Sequence, residues 1–305
     1  MDDPGEDGHG RTIYLDGARV PEAAARLAVG DHGVLYGLGF FETFRTSRGC
    51  PHLWELHRRR LLEACVVAGI GVPAGFLVRD EAKLREILRD LLKERGMEDG
   101  VFRYTVSAGR PSGTGGGAGY TQPSEWLTVR PMPHAAPAGG VTLRILKIAR
   151  DSGEWLPRPK SLNYANALLG GHELRRRGAA ADDEGLFLAR EGGWVVETPR
   201  RNLAWVVGGR FLFPDPALGA VAGTCLQWLC ELGVEAHPCR ATVAEVARAE
   251  AVVLLNSVRG VTPVRAIWDA NDGELIGSWE SQPHPLVEEV CRNWGEALSA
   301  TGAGC

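Results

Sequence analysis

The sequence predicts an α+β fold in two domains, on three observations. Short apolar strands are mixed with amphipathic helices, without the regular strand–helix alternation of a doubly wound sheet. The stretch from Pro131 to Gly140, rich in Pro, Ala and Gly, has the composition of a linker. The chain's 305 residues are also more than one core of ordinary size requires. These place a disordered tail at 1–11, an N-terminal α+β domain at 12–130, the linker at 131–140 and a C-terminal α+β domain at 141–305.

The first element is a small hairpin. Ile13-Tyr14-Leu15 and Ala18-Arg19-Val20 flank Asp16-Gly17, a pair suited to a type I′ turn. A glycine-punctuated stretch from Asp31 leads into a strand ending near Arg45, which turns at Ser47-Arg48-Gly49 and returns through Pro51-His52-Leu53. Trp54 to Ala68 carries Leu56, Leu61, Leu62, Cys65 and Val66 at helical spacing, and Glu81 to Arg95 repeats the pattern with Leu84, Ile87, Leu88, Leu91 and Leu92. Strands at Val101–Ser107 and Trp126–Arg130 are separated by a glycine-rich loop. Beyond the linker, Val141 to Ile148 alternates as a strand and Leu162 to Arg177 reads as a helix. Four short strands follow, at Leu186–Leu188, Trp194–Val196, Leu203–Val207 and Arg210–Phe213. A helix near 223–232 precedes a strand around Val234. Thr242 and Glu245 have the spacing of a capping box. Strands at Ala251–Leu255 and Thr262–Ile267 and a helix over 285–299 complete the chain.

Composition excludes several function classes. Hydrophobic residues are 44% and charged residues 24%, with a net charge of −4 and no basic block, which argues against gripping a nucleic-acid backbone. The acidic start, Met1-Asp2-Asp3, is not that of a secretory signal. The most apolar long stretch, Ala217 to Val234, is interrupted by Gln227 and Glu231, so no membrane span is expected. A cytoplasmic protein is expected. The seven cysteines form no CxxC pair, and Cys225, Cys230, His237 and Cys239 match no common zinc spacing, so thiols rather than a metal site are expected.

Two glycine motifs carry no chemistry by themselves. The run from Gly109 to Gly119 lacks the Gly-Lys-Ser/Thr ending of a phosphate loop, and Gly37-x-Gly39 lacks the third glycine of a dinucleotide fingerprint. The lysines are more telling. Against 30 arginines there are four, Lys83, Lys93, Lys147 and Lys160. Lys83 and Lys93 fall on a solvated helix face, and Lys147 sits in an alternating strand. Lys160 follows Pro157-Arg158-Pro159 at a loop–helix junction, where a restricted backbone can desolvate the amine and lower its pKa for Schiff-base chemistry.

Lys160-Ser161-Leu162-Asn163-Tyr164-Ala165-Asn166 resembles the lysine segment of the class IV aminotransferases, the fold-type IV pyridoxal-phosphate enzymes. Four further stretches resemble that family in its order. They are Gly30-Asp31-His32-Gly33 through Tyr36-Gly37-x-Gly39-x-Phe41-Glu42-Thr43-x-Arg45, His57-x-x-Arg60-Leu61, Glu197-Thr198-x-x-x-Asn202-Leu203, and Asn256-Ser257-x-x-Gly260-x-x-Pro263-Val264. The resemblance implies a two-domain D-amino-acid-aminotransferase-like fold with pyridoxal 5′-phosphate at the domain interface, a small-molecule amino substrate and a homodimer. It implies Lys160 as Schiff-base lysine and general base, Glu197 beside the pyridine nitrogen, and Arg60, Thr224 and Ser257 around the phosphate. Tyr164 is implied at the phenolic oxygen and Thr43 beside the lysine.

Within the family, the form of 256–264 and the presence of Thr43 resemble the aminodeoxychorismate lyases more than the aminotransferases. The lyase reaction of the folate pathway is therefore expected, with D-amino-acid or branched-chain transamination as the rival and a catalytically silent binding relative as the remote alternative. Two positions depart from the family pattern. Ser107-Ala108-Gly109 lacks the arginine of a Thr/Ser-Arg-Gly step, and Leu226 replaces the arginine of Gly-x-Thr-Arg. Tyr36, Arg103, Arg110 and Asn256 are the candidates left for contact with substrate.

Overall fold

The computed structural model describes residues 11–111, 119–135, 139–151, 157–271, 273–279 and 284–303. The tail expected before Arg11, most of the glycine-rich loop and part of the linker lie outside the described residues. Backbone proximity groups the chain into two units: 1–133 with 160–163 and 299–305, and 134–159 with 164–298.

The first unit opens with β1 (Thr12–Leu15) and β2 (Ala18–Pro21). They pair antiparallel across Asp16 and Gly17, both with positive φ, as the Asp-Gly turn requires. α1 (His32–Tyr36) was not anticipated. Its N-cap Asp31 is buried, and the carboxylate accepts from Gly33 N at 2.6 Å and Gly109 N at 3.3 Å as well as from the Ser107 hydroxyl. β3 (Gly39–Ser47), β4 (Cys50–Pro51), α2 (Trp54–Val67), α3 (Glu81–Glu94), β5 (Val101–Arg110) and β6 (Gln122–Arg130) complete the unit. Its sheet has the order β2-β1-β6-β5-β3-β4. All of its pairings are antiparallel, and the register sets Gly39 opposite Ser107 and Thr43 opposite Arg103.

Lys160 was expected in the C-terminal domain, yet Lys160–Asn163 group with the first unit. The reason is a pair of backbone bonds to the start of β3, Phe41 N to Lys160 O and Leu162 N to Gly39 O, both 2.9 Å. Gly39 permits this approach. A Cβ there would lie 2.7 Å from Val106 O and 2.8 Å from Leu162 Cδ1.

The second unit contains β7 (Val141–Ile145), α4 (Ala165–Arg176), β8 (Glu184–Leu186), β9 (Asn202–Val207), β10 (Arg210–Pro214), α5 (Thr224–Glu231), β11 (Ala236–Cys239), α6 (Val243–Val246), β12 (Ala251–Asn256), β13 (Gly260–Trp268), β14 (Leu275–Ser278) and most of α7 (Pro285–Ala303), whose residues from 299 onward group with the first unit. The sheet order is β11-β10-β9-β12-β13-β7-β8, with β14 on β13. It mixes parallel pairs, such as β13 with β7, and antiparallel pairs, such as β12 with β13. Leu143, Leu186, Leu203, Trp205, Leu254 and Ile267 are in its core. The capping box on α6 is formed in both directions.

Several expected boundaries shift for physical reasons. β7 stops at Ile145 rather than Ile148, because Lys147 N and Ile148 N donate to the Glu173 carboxylate at 2.7 and 3.0 Å. Trp194–Val196 is not a strand. Val196 N bonds Phe187 O while Val195 N bonds Ala241 O, so neither neighbour builds a ladder with it. The strand expected around Val234 lies at Ala236–Cys239, after Gly233 at φ 80°. It runs along the sheet edge, where Pro238 is tolerated. Cys65, Cys225, Cys230, Cys239 and Cys291 are free thiols, but Cys50 is disulfide-bonded, against the expectation of thiols throughout. Among the described residues no helix is long and apolar enough to cross a membrane, and no group of three His, Cys, Asp or Glu stands ready to hold a metal ion.

Candidate functional site

In the first unit the predicted lysine meets β3. Successive side chains of a strand point to opposite faces, so Phe41 and Thr43 share one face while Glu42 and Phe44 share the other. On the first face the Lys160 ammonium nitrogen is 4.8 Å from the centroid of the Phe41 ring, and the Arg103 guanidinium carbon is 3.6 Å from it. Arg103 is the register partner of Thr43. The structure thus brings together Lys160, Thr43 and Arg103 around a buried ring that attracts cations.

On the opposite face, toward α2, Glu42 is 1% exposed. It accepts from Arg60 Nε at 2.8 Å, from Arg60 Nη2, and from His57 Nδ1 at 2.6 Å. Burial alone pushes the Glu42 carboxyl up, but the charges of Arg60 and His57 outweigh it and hold the pKa at about 2. Burial lowers the His57 pKa against the pull of Glu42. Arg60, expected as a phosphate ligand, is therefore oriented by Glu42, which lies within the first family-like stretch but was given no role from the sequence. The signal was present in the sequence, as an acidic residue between the apolar Phe41 and Phe44 of one strand.

Two other candidates lie elsewhere. Tyr36, at the end of α1, is 71% exposed and packs edge-on against His32 at 4.8 Å. Arg110 is exposed at the end of β5, close to Gly30.

The second unit builds its own cluster around Glu197, which is 4% exposed. Its Oε1 pairs with Arg150 Nη2 at 2.8 Å, and its Oε2 accepts from Asn202 Nδ2 at 3.2 Å and Val221 N at 3.0 Å. Arg150 is itself buried and donates through Nη1 to Asn166 Oδ1 at 2.7 Å. The carboxylate is thus held in place by one cation and two further donors. Motif reading found Glu197 and Asn202 but missed Arg150, whose partner lies 47 positions away in the sequence.

Gly223 precedes α5, and a Cβ there would fall 1.7 Å from Asn202 Oδ1. The glycine is thus required for the approach of the α5 N-terminus, whose first residue is the buried Thr224. Tyr164 stands at the N-cap position of α4, and its hydroxyl donates not to the helix but to Pro199 O at 2.5 Å. After β12, Asn256 Oδ1 accepts from Val258 N at 3.1 Å and Arg259 N at 2.7 Å. This Asx turn ties the Asn256 side chain to its own loop and buries Ser257 beside it.

The family model for amino-transferase class IV matches residues 39–267. The chain is 29% identical to aminodeoxychorismate lyase of Bacillus subtilis over 92% of this chain and 95% of that protein. Its fold is similar to the crystal structure of 4-amino-4-deoxychorismate lyase from Pseudomonas aeruginosa, with TM-score 0.72 and 29% identity over 93% of this chain and 98% of that one. It is also similar in fold to a branched-chain aminotransferase from Thermoproteus uzoniensis, with TM-score 0.75 and 22% identity over 95% of each chain.

Proposed function

The chain belongs to the amino-transferase class IV family, and from that premise we propose that it is a pyridoxal-phosphate-dependent lyase. The proposed reaction releases pyruvate from 4-amino-4-deoxychorismate and leaves 4-aminobenzoate. The observation that carries this reading is the Lys160 amine held over Phe41, on the face that Thr43 shares with Arg103. The Asn256-Ser257 form of the loop and the similarity to lyases along most of the chain favour the lyase over a transaminase.

Within each unit, taken by itself, the residues fit the cofactor. A lysine sits on a backbone pinned to β3, a buried carboxylate is backed by Arg150, and the glycine before α5 leaves no room for a Cβ. When bound, pyridoxal phosphate supplies an electron sink for negative charge developing at the substrate Cα. Lys160 carries the cofactor and then takes the Cα proton on Nζ. Glu197 holds the pyridine nitrogen protonated. Arg60, Ser257 and the backbone N–H groups at Thr224 hold the phosphate. Tyr164 orients the phenolic oxygen, Thr43 moves a proton beside Lys160, and Arg103 binds the substrate carboxylate. Incubation of the protein with pyridoxal phosphate and aminodeoxychorismate is expected to release pyruvate and 4-aminobenzoate in equal amounts. Conversion of an amino acid to its keto acid, with no pyruvate from aminodeoxychorismate, would identify an aminotransferase instead.

Arg150 gives a more local test. Arg150→Met leaves the buried Glu197 carboxylate without its paired cation and without the contact that positions it, and so weakens its hold on a ring nitrogen. Cofactor affinity, measured by equilibrium dialysis, is expected to fall about tenfold or more, corresponding to about 1.4 kcal/mol. Unchanged affinity would remove Arg150 from the site.

A homodimer is part of the same proposal. Val34, Leu35 and Tyr36 are consecutive, Val29 lies five residues before them, and each of the four is at least half exposed. An apolar strip of that kind is ordinarily covered by a partner, and sedimentation velocity of the full chain tests it.

A further inference from the structure

We propose that the second unit carries a binding site for a small aromatic carboxylate on the C-terminal half of α4, separate from the residues assigned above. A cavity of about 420 Å³ opens there, a size common among small-molecule sites. Leu169, His172, Glu173 and Arg176 line it from α4, at spacings of three, one and three residues, which puts them along one helix face. Lys147 and Ile148 line it from the chain leaving β7.

The charges in the cavity do not cancel. Glu173 is its only acid, and it is committed. Its two oxygens accept from Lys147 N and Ile148 N, and Arg177 pairs with it at 3.3 Å. Arg177 is fixed in turn by Ile145 O at 2.7 Å and Asp269 O at 3.2 Å. The side chains of Lys147 and Arg176 then face the cavity as cations, beside the His172 ring. Leu169, 54% exposed, and Ile148 supply apolar surface that otherwise meets water. One anionic group on a flat apolar body satisfies both features. A carboxylate is held by Lys147 and Arg176, and a ring packs on Leu169, Ile148 and the imidazole. Lys147 is also one of only four lysines in a chain that otherwise uses arginine.

The cavity bears on the Glu197 cluster through one short segment. Residues 147–150 run from Lys147 to Arg150. Ala149 O accepts from Asn166 Nδ2 at 3.0 Å, and Arg150 pairs with both Asn166 and Glu197. A coupling to this cluster is part of the proposal, since an occupant held by Lys147 sits on the segment that carries Arg150, and by linkage any such coupling is reciprocal.

Isothermal titration calorimetry of the purified full chain with benzoate, with and without pyridoxal phosphate, tests the site. Benzoate is expected to bind the native protein and the Arg103→Ala variant alike, and to bind the Lys147→Ala/Arg176→Ala double variant about tenfold more weakly or worse. Acetate and inorganic phosphate are expected to bind the native protein at least about tenfold more weakly than benzoate. Absence of binding, equal affinity in the double variant, loss in Arg103→Ala instead, or phosphate binding as tightly as benzoate would each overturn the assignment. A second arm rests on the proposed cofactor: saturating benzoate is expected to shift the Kd for pyridoxal phosphate about threefold or more in the native protein and not in the double variant. No shift would overturn the effector role while leaving the calorimetric result standing. Failure of the lyase assay would not alter the calorimetry.

Discussion

Lys160→Ala is expected to fold as the native protein does and to release pyruvate from aminodeoxychorismate on the order of 10⁴-fold more slowly or worse. Folding is preserved because the segment is held to β3 by backbone atoms. Phe41 N still donates to the carbonyl of residue 160, and Leu162 N to Gly39 O. What the substitution removes is the ammonium over the Phe41 ring, a contact worth about 0.5–2 kcal/mol, and Arg103 remains on that ring at 3.6 Å. Chemistry is lost because no other lysine can supply the amine: Lys83, Lys93 and Lys147 lie in other segments of the chain. The native protein with pyridoxal phosphate is expected to show a Schiff-base band near roughly 410–420 nm, and the variant none. Lys160→Arg separates charge from chemistry, since it keeps a cation near Phe41 but forms no Schiff base. Turnover within tenfold of native in either variant would refute the assignment of Lys160.

The largest stability effect is expected at Glu42. Glu42→Ala leaves Arg60 and the fully buried His57 facing a site with no carboxylate, and loss of one partner from a buried ion pair costs about 3–5 kcal/mol. The same carboxylate sets a pH dependence whose sign follows from its pKa. The folded value is about 2, below the ordinary 4.5, because Arg60 and His57 overcome the effect of burial. Its contribution is therefore complete above pH 4.5 and is lost as pH falls from there toward 2. At about 1.4 kcal/mol per pKa unit it amounts to roughly 3 kcal/mol. Urea unfolding across this window is expected to show a steep loss in the native protein. In Glu42→Gln, whose side chain does not titrate, the loss is expected to be smaller by that amount. Equal slopes in the two proteins would remove Glu42 as the source.

Much of the architecture was legible along the chain. Asp16-Gly17 announces a turn because glycine and aspartate accept positive φ. Thr242 and Glu245 announce a helix start because each side chain satisfies the other's backbone N–H. The long helices α2 and α3 show as 3.6-residue periodicity, and their bounds lie within a residue of expectation. These features rest on local chemistry. α1 does not: five residues with Gly33 among them have little helical preference, and its cap Asp31 is set by Ser107 and Gly109, more than 70 positions away. Trp194–Val196 has the composition of a strand and fails to be one because its donors go to two different segments.

The proposed site divides along the same line. The sequence by itself determined the family and offered the candidate residues Lys160, Glu197, Arg60, Thr43 and Ser257, because the family's motifs are carried in the order of the chain. Only the tertiary structure decided what surrounds them. It set Arg103 and Lys160 on one aromatic ring, bound Arg60 and His57 to Glu42, and placed Arg150 against Glu197. The physical reason is that a charge buried in protein must find its partner in space. Strand register, and the closeness that Gly39 and Gly223 allow, brought those partners together from positions that no local pattern connects.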